Sequence, residues 1–138
     1  MKKKDYTVNG ISMLAKELIA EPVRIWTLQG SLGAGKTSLV QSMLSQWGVQ
    51  GPVQSPTYSY VSIYRTPQGP LYHFDLYRLT SADDFMQAGF DEYLYDPSGR
   101  VIIEWPEIIQ PLLPRPVCQV QIEYATSEVR ILTYGILK

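Results

Sequence analysis

One loop constrains this chain more than any other feature. Gly30-Ser31-Leu32-Gly33-Ala34-Gly35-Lys36-Thr37 fits the pattern G-x-x-x-x-G-K-[ST] in full. Residues 23–29 before it form a short β-type run in which Ile25, Trp26 and Leu28 suit a buried strand. After it, Leu39, Val40, Met43, Leu44 and Trp47 fall on one helical face, and Gly48 stands where a glycine stop belongs. Strand, glycine loop and helix in that order give the pattern its physical meaning. Glycines let a backbone close around an anion where a β-carbon would obstruct it. Successive amides and the N-terminus of the following helix then offer partial positive charge to phosphates. The Lys36 ammonium is expected to reach the β- and γ-phosphates, and the Thr37 hydroxyl to ligate Mg²⁺. The nucleotide-binding set read from this loop is Gly30, Ser31, Leu32, Gly33, Ala34, Gly35, Lys36, Thr37 and the adjoining Ser38.

The rest of the chain is patterned as alternating helices and strands. Ile11, Leu14, Ala15, Leu18 and Ile19 recur at helical spacing, with Thr7 and Asn9 as candidate caps and Pro22 as the stop. Residues 59–65 and 71–78 read as strands around the turn Thr66-Pro67-Gln68-Gly69, which is hairpin chemistry. Ser81, followed by Asp83 and Asp84, opens a short helix. Residues 101–104 form a compact apolar strand after the turn Asp96-Pro97-Ser98-Gly99, and Pro111, Pro114 and Pro116 mark a loop. Cys118, Val120, Ile122 and Tyr124 alternate with polar residues, and residues 128–134 are expected to return antiparallel. The expected architecture is α/β: a three-layer fold like that of P-loop nucleotidases, with a mixed sheet of parallel core strands and antiparallel hairpins. At 138 residues the chain is expected to form one domain, 1–138.

A phosphate loop also calls for a carboxylate at the end of a neighbouring strand, on the metal side. Two candidates are visible. Glu104 closes Arg100-Val101-Ile102-Ile103-Glu104, and Asp75 closes Leu71-Tyr72-His73-Phe74-Asp75. A carboxylate that ends an apolar strand is costly to bury unless it is paired or metal-bound. His73 and Asp75 lie two apart and share a strand face, so His73 could orient Asp75 or a phosphate, or simply be structural.

Composition narrows the remaining classes. With 12 basic and 13 acidic residues, the chain shows no excess that would grip nucleic acid unaided. Its one basic run, Lys2-Lys3-Lys4, reads as a solvated terminus. A single cysteine, Cys118, excludes an internal disulfide framework. No apolar stretch is long enough to span a bilayer and no signal peptide is evident, so the cytoplasm is the expected compartment.

Four separated segments carry a family resemblance. Gly33-Ala34-Gly35-Lys36-Thr37, Ser55-Pro56-Thr57-Tyr58, His73-Phe74-Asp75-Leu76-Tyr77-Arg78 and Ile103-Glu104-Trp105-Pro106 stand in the order seen in the TsaE (YjeE) family, and the chain resembles that family over nearly its whole length. The resemblance implies a bacterial ATPase that supports synthesis of N6-threonylcarbamoyladenosine in tRNA. It implies ATP and Mg²⁺ as cofactors and the TsaB–TsaD heterodimer as partner, with tRNA handled only indirectly. By the same resemblance, Lys36 and Thr37 take the phosphate and Mg²⁺ roles and Glu104 takes the acidic metal-side role. Asp75 becomes a second essential carboxylate near the γ-phosphate, and Thr57 belongs to a switch-like loop near the nucleotide. Trp105, next to Glu104, either lies close to the nucleotide or serves packing. One departure is visible: Ser31 stands where the family usually has aspartate, which removes a negative charge from the rim of the cradle. Hydrolysis is expected to be weak in the isolated chain and functional within the partner complex.

Three other classes share the loop. A small-molecule or nucleoside kinase would need arginines clustered around the moving phosphoryl group. Here Arg24, Arg65, Arg78, Arg100, Arg115 and Arg130 are scattered. A GTPase would carry an Asn-Lys-x-Asp signature, which is absent, and Asp96-Pro97-Ser98-Gly99 precedes its strand instead of following one. A nucleotide-dependent scaffold without catalysis stays open on sequence alone. Base-contacting residues are not legible, Arg130 being a candidate only.

Overall fold

The structure is a computed structural model that describes residues 1–31, 34–49 and 60–138. Seven strands form one mixed sheet: β1 (Lys2–Tyr6), β2 (Ile25–Gln29), β3 (Val61–Thr66), β4 (Gly69–Asp75), β5 (Arg100–Glu104), β6 (Val117–Tyr124) and β7 (Arg130–Leu137). Their spatial order is β1-β7-β6-β2-β5-β4-β3. The pairs β6–β2, β2–β5 and β5–β4 are parallel, whereas β3–β4, β6–β7 and β1–β7 are antiparallel. This is the α/β, P-loop nucleotidase-like architecture with a parallel core and antiparallel additions.

Strand alternation sorts the core into two layers. Trp26 and Leu28 of β2, Ile102 of β5, and Cys118 and Val120 of β6 face α1 (Ile11–Ile19) and α2 (Lys36–Gln46). Ile25, Phe74, Val101, Ile103 and Val117 point the other way, against α3 (Ala82–Gln87), α4 (Asp91–Leu94) and a 3-10 segment, Pro106–Leu112. Trp26 ties β2 to both helices of the first layer. Its indole N–H donates to the Leu18 carbonyl at 2.9 Å, and its ring meets Trp47 edge-on at 4.9 Å. In the second layer the Ser81 hydroxyl accepts from the Asp84 amide at 3.1 Å, the cap that its sequence implies.

Four local details differ from the sequence-based expectation. Lys2-Lys3-Lys4 is not a free terminus; it belongs to β1, whose backbone pairs with β7 while the lysine side chains remain exposed. Neither Thr7 nor Asn9 caps α1: a 3-10 turn, Val8–Gly10, intervenes, and Gly10 occupies the cap position without a side-chain bond. The strand expected over 71–78 stops at Asp75, because the Asp75 carboxylate accepts from the Tyr77 amide at 3.1 Å and turns the chain. The proline-marked loop is preceded by the 3-10 segment, which starts at Pro106 and takes in Pro111 near its end.

Candidate functional site

The topology brings the start of the glycine loop and both candidate carboxylates to one edge. β2, β4 and β5 run parallel and finish together, so the loop beginning at Gly30 lies beside the ends of the other two strands. Glu104 is in register with Leu28 on one side and with Asp75 on the other. Ligands of open α/β sheets bind at this carboxyl edge. On the helix-α2 side of the sheet the edge therefore carries the loop lysine and both candidate carboxylates.

Gly30 and Gly35 are set by sterics. A β-carbon at Gly30 would lie 2.6 Å from the carbonyl oxygen of Ile122, a backbone atom that cannot swing aside. Gly35 has φ +101° and is the residue from which α2 starts, a conformation that side chains rarely adopt. Gly30→Ala is accordingly expected to cost more than about 2 kcal/mol in thermal or urea unfolding and to disrupt the loop; unchanged unfolding would contradict this geometry.

Lys36 opens α2 and is only 5% exposed. Its Nζ donates to the Gly30 carbonyl at 2.5 Å and lies 3.6 Å from the centre of the Trp105 ring. Burial lowers its pKa from the ordinary lysine value, and the charges of Glu104, Asp75 and Glu107 partly offset that shift. Asp75 shows the converse behaviour. Burial raises its pKa, the Tyr77 amide opposes the rise, and neighbouring Glu104 reinforces it, while His73 and Lys36 pull it down. The site thus holds an under-solvated cation against two adjacent carboxylates.

Trp105 sits at the centre of this arrangement. It takes a left-handed conformation, φ 58° and ψ 59°, which costs about 1–3 kcal/mol for a residue with a β-carbon. Its amide donates to the Leu28 carbonyl at 3.3 Å, and its ring meets Tyr77 at 4.8 Å as well as Lys36. Of the two roles open to Trp105 on sequence, the structure puts it against the phosphate-loop lysine.

His73 does not orient Asp75. Its Nε2 lies 2.6 Å from Oε2 of Glu104, on the neighbouring strand, and both side chains are buried. Same-strand spacing could not reveal this partner, because it depends on which strand lies beside β4. Thr37, Ser38 and Ser31 are exposed at the loop, Ala34 is buried, and the Ala34 amide donates to the Ser31 carbonyl at 3.1 Å. Leu32, Gly33 and Thr57, together with Ser55 and Pro56, lie outside the described residues.

Two features escape a reading of the sequence. A chain of side-chain amides flanks the loop: Gln121 donates to Gln29 at 3.3 Å and Gln29 to Glu107 at 3.2 Å. A cavity of about 510 Å³ also opens beside Gly35 and Ser38, lined further by Tyr6, Thr7, Val8, Asn9, Ile11, Ser127, Glu128 and Arg130. Tyr6 Oη and Arg130 Nε are buried there without a hydrogen-bond partner among the described residues. Only the pairing of β1 with β7 assembles this cavity from opposite ends of the chain.

Comparison with known proteins bears directly on this site. Residues 3–132 match the family described as threonylcarbamoyl adenosine biosynthesis protein TsaE. The chain belongs to the TsaE family. Among its relatives, a tRNA threonylcarbamoyladenosine biosynthesis protein TsaE from Rickettsia prowazekii is 33% identical, over 95% of this chain and 89% of the relative. The protein of the same name from Bacillus subtilis is 35% identical, over 83% of this chain and 71% of its own length. The crystal structure of Bacillus subtilis YdiB superposes with a TM-score of 0.74 and 27% identity, covering 99% of this chain and 87% of that one. The TsaE match spans the loop, both strand-end carboxylates and Trp105. Among the described residues, no helix of this TsaE-family chain is long and apolar enough to cross a membrane.

Proposed function

We propose that this TsaE-family chain is a Mg²⁺-dependent ATPase that binds a TsaB–TsaD heterodimer and supports threonylcarbamoylation of the adenosine next to the tRNA anticodon. The observation that carries the reading is the desolvated Lys36, held at the start of α2 beside the paired strand ends Asp75 and Glu104. Glycine-lined backbone and the α2 N-terminus bind the phosphates, and Lys36 moves its ammonium from the Gly30 carbonyl to phosphate oxygens. Thr37 and Glu104 are the residues that would hold Mg²⁺. One hydroxyl and one or two carboxylates suit a cation that takes its other ligands from phosphates and water. There the cation would supply electrostatic neutralisation of the phosphate charge. Asp75 positions the attacking water and accepts hydrogen bonds from it. Trp105 covers Lys36 and keeps water from the cation. The nucleoside extends from the loop into the cavity between Tyr6, Asn9 and Arg130, which shares Gly35 and Ser38 with the phosphate cradle.

The near balance of 12 basic and 13 acidic residues supports an indirect relation to tRNA, with partner proteins making the nucleic-acid contacts. Phosphate release from ATP, measured with and without TsaB–TsaD, tests the reading. Slow, Mg²⁺-dependent release by the chain alone is expected, rising several-fold in the complex. No release under either condition would defeat it, and transfer of the γ-phosphate to an added hydroxyl acceptor would replace it with a kinase.

A further inference from the structure

We propose that His73 is a positioning residue for Glu104: its imidazole holds one carboxylate oxygen so that the other is kept in place for the metal side of the nucleotide site. The inference rests on the ATPase reading above. It starts from register. Asp75 and Glu104 are direct neighbours on β4 and β5, a pairing that places two acidic side chains on the same sheet face. Like charges directly opposite one another push apart. Glu104 is only 6% exposed, so water cannot hold its carboxylate against that push.

His73 supplies the restraint from the core side. It lies one pleat before Asp75 on the same face, in register with Ile102, and reaches diagonally to Glu104. The 2.6 Å contact joins Nε2 to Oε2, leaving Oε1 outside that bond. A carboxylate only accepts, so the hydrogen in this bond is on Nε2. His73 Nδ1 is buried with no partner among the described residues. A histidine that served packing alone would not need its one satisfied nitrogen on a strand-end carboxylate. Donors that orient a metal-side ligand typically change metal affinity about 10–100-fold when removed.

The test measures binding, not turnover. Affinity for ATPγS is determined in Mg²⁺ and in EDTA for the wild-type chain and for His73→Leu, His73→Gln and His73→Asn. The glutamine amide nitrogen can take the place of Nε2, whereas the shorter asparagine cannot. His73→Leu is expected to shrink the Mg²⁺-dependent gain in affinity about tenfold or more, leaving affinity in EDTA within about twofold. His73→Gln should keep most of the gain and His73→Asn should lose it. Should the leucine variant fail to fold, the glutamine–asparagine contrast decides alone. Equal loss in both amides, loss that appears equally in EDTA, or no loss in any variant overturns the positioning role. A wild-type chain that binds no ATPγS, or binds it with no Mg²⁺ gain, instead overturns the ATPase reading, and the positioning role falls with it.

Discussion

Lys36→Ala is expected to remove measurable ATP binding, weakening it about a hundredfold or more, while leaving the nucleotide-free fold intact. The two halves of that result have one cause. Charge-assisted bonds to phosphate contribute about 1.5–3 kcal/mol each, and Lys36 is the only cation that the loop itself supplies. Without nucleotide, the same ammonium is buried against a carbonyl and an indole face, and desolvation lowers its pKa. The folded chain therefore holds this proton less tightly than the unfolded chain does. The resulting penalty is full below the folded pKa, shrinks as pH rises, and is gone above the ordinary lysine value. Alanine deletes the penalty, so at neutral pH the nucleotide-free variant should unfold no earlier than wild type, minus whatever packing the lysine stem provides against Trp105. Saturating MgATP should raise the melting temperature of the wild type and not that of the variant. An ATP-dependent shift that survives in Lys36→Ala would show that Gly30–Thr37 is not the phosphate cradle.

Much of this site is legible in the amino-acid sequence because its parts obey local rules. A glycine loop between a strand and a helix, and two carboxylates that end apolar runs, are patterns of spacing. Each of Lys36, Asp75 and Glu104 indeed stands at the carboxyl edge of the sheet. What escapes depends on strand order. His73 and Asp75 share a face, as alternation requires, yet the partner of His73 comes from β5, and nothing within residues 69–75 says that β5 lies alongside. β1 escapes for a different reason. Its lysines show no apolar alternation, and it is held as a strand by backbone pairing from Lys2 opposite Tyr134 to Tyr6 opposite Arg130. The cavity beside the loop inherits that blindness, since Tyr6 and Arg130 meet only through this edge. Trp105 is a candidate on sequence, but its left-handed backbone, which aims the ring at Lys36, has no signature in Glu104-Trp105-Pro106.

Asp75→Asn is expected to lower ATP turnover in the TsaB–TsaD complex by about 10²–10⁴-fold, the range for losing a positioned base, with MgATP affinity changed no more than a few-fold. Asparagine keeps the size of the side chain and the oxygen that accepts from the Tyr77 amide, so the turn that ends β4 should survive. It loses only the charge. In the nucleotide-free protein that charge is unfavourable: burial and neighbouring Glu104 raise the Asp75 pKa. A carboxylate whose folded pKa is raised favours the fold while protonated and loses that advantage as pH climbs through the folded pKa. At neutral pH, above the ordinary aspartate value, the penalty is in force, so asparagine should match or exceed wild-type thermal stability. A variant at least as stable, still binding nucleotide and yet inactive, would locate the cost in the chemical step, because a residue kept for architecture loses stability and activity together. Wild-type turnover in Asp75→Asn would instead leave Glu104 as the working carboxylate and reduce Asp75 to the residue that turns the chain at Tyr77. The two carboxylates also predict different dependences on metal. Asp75→Asn should retain the wild-type Mg²⁺ requirement for nucleotide binding, whereas Glu104→Gln should raise it, since only Glu104 carries the His73 restraint that holds an oxygen in place.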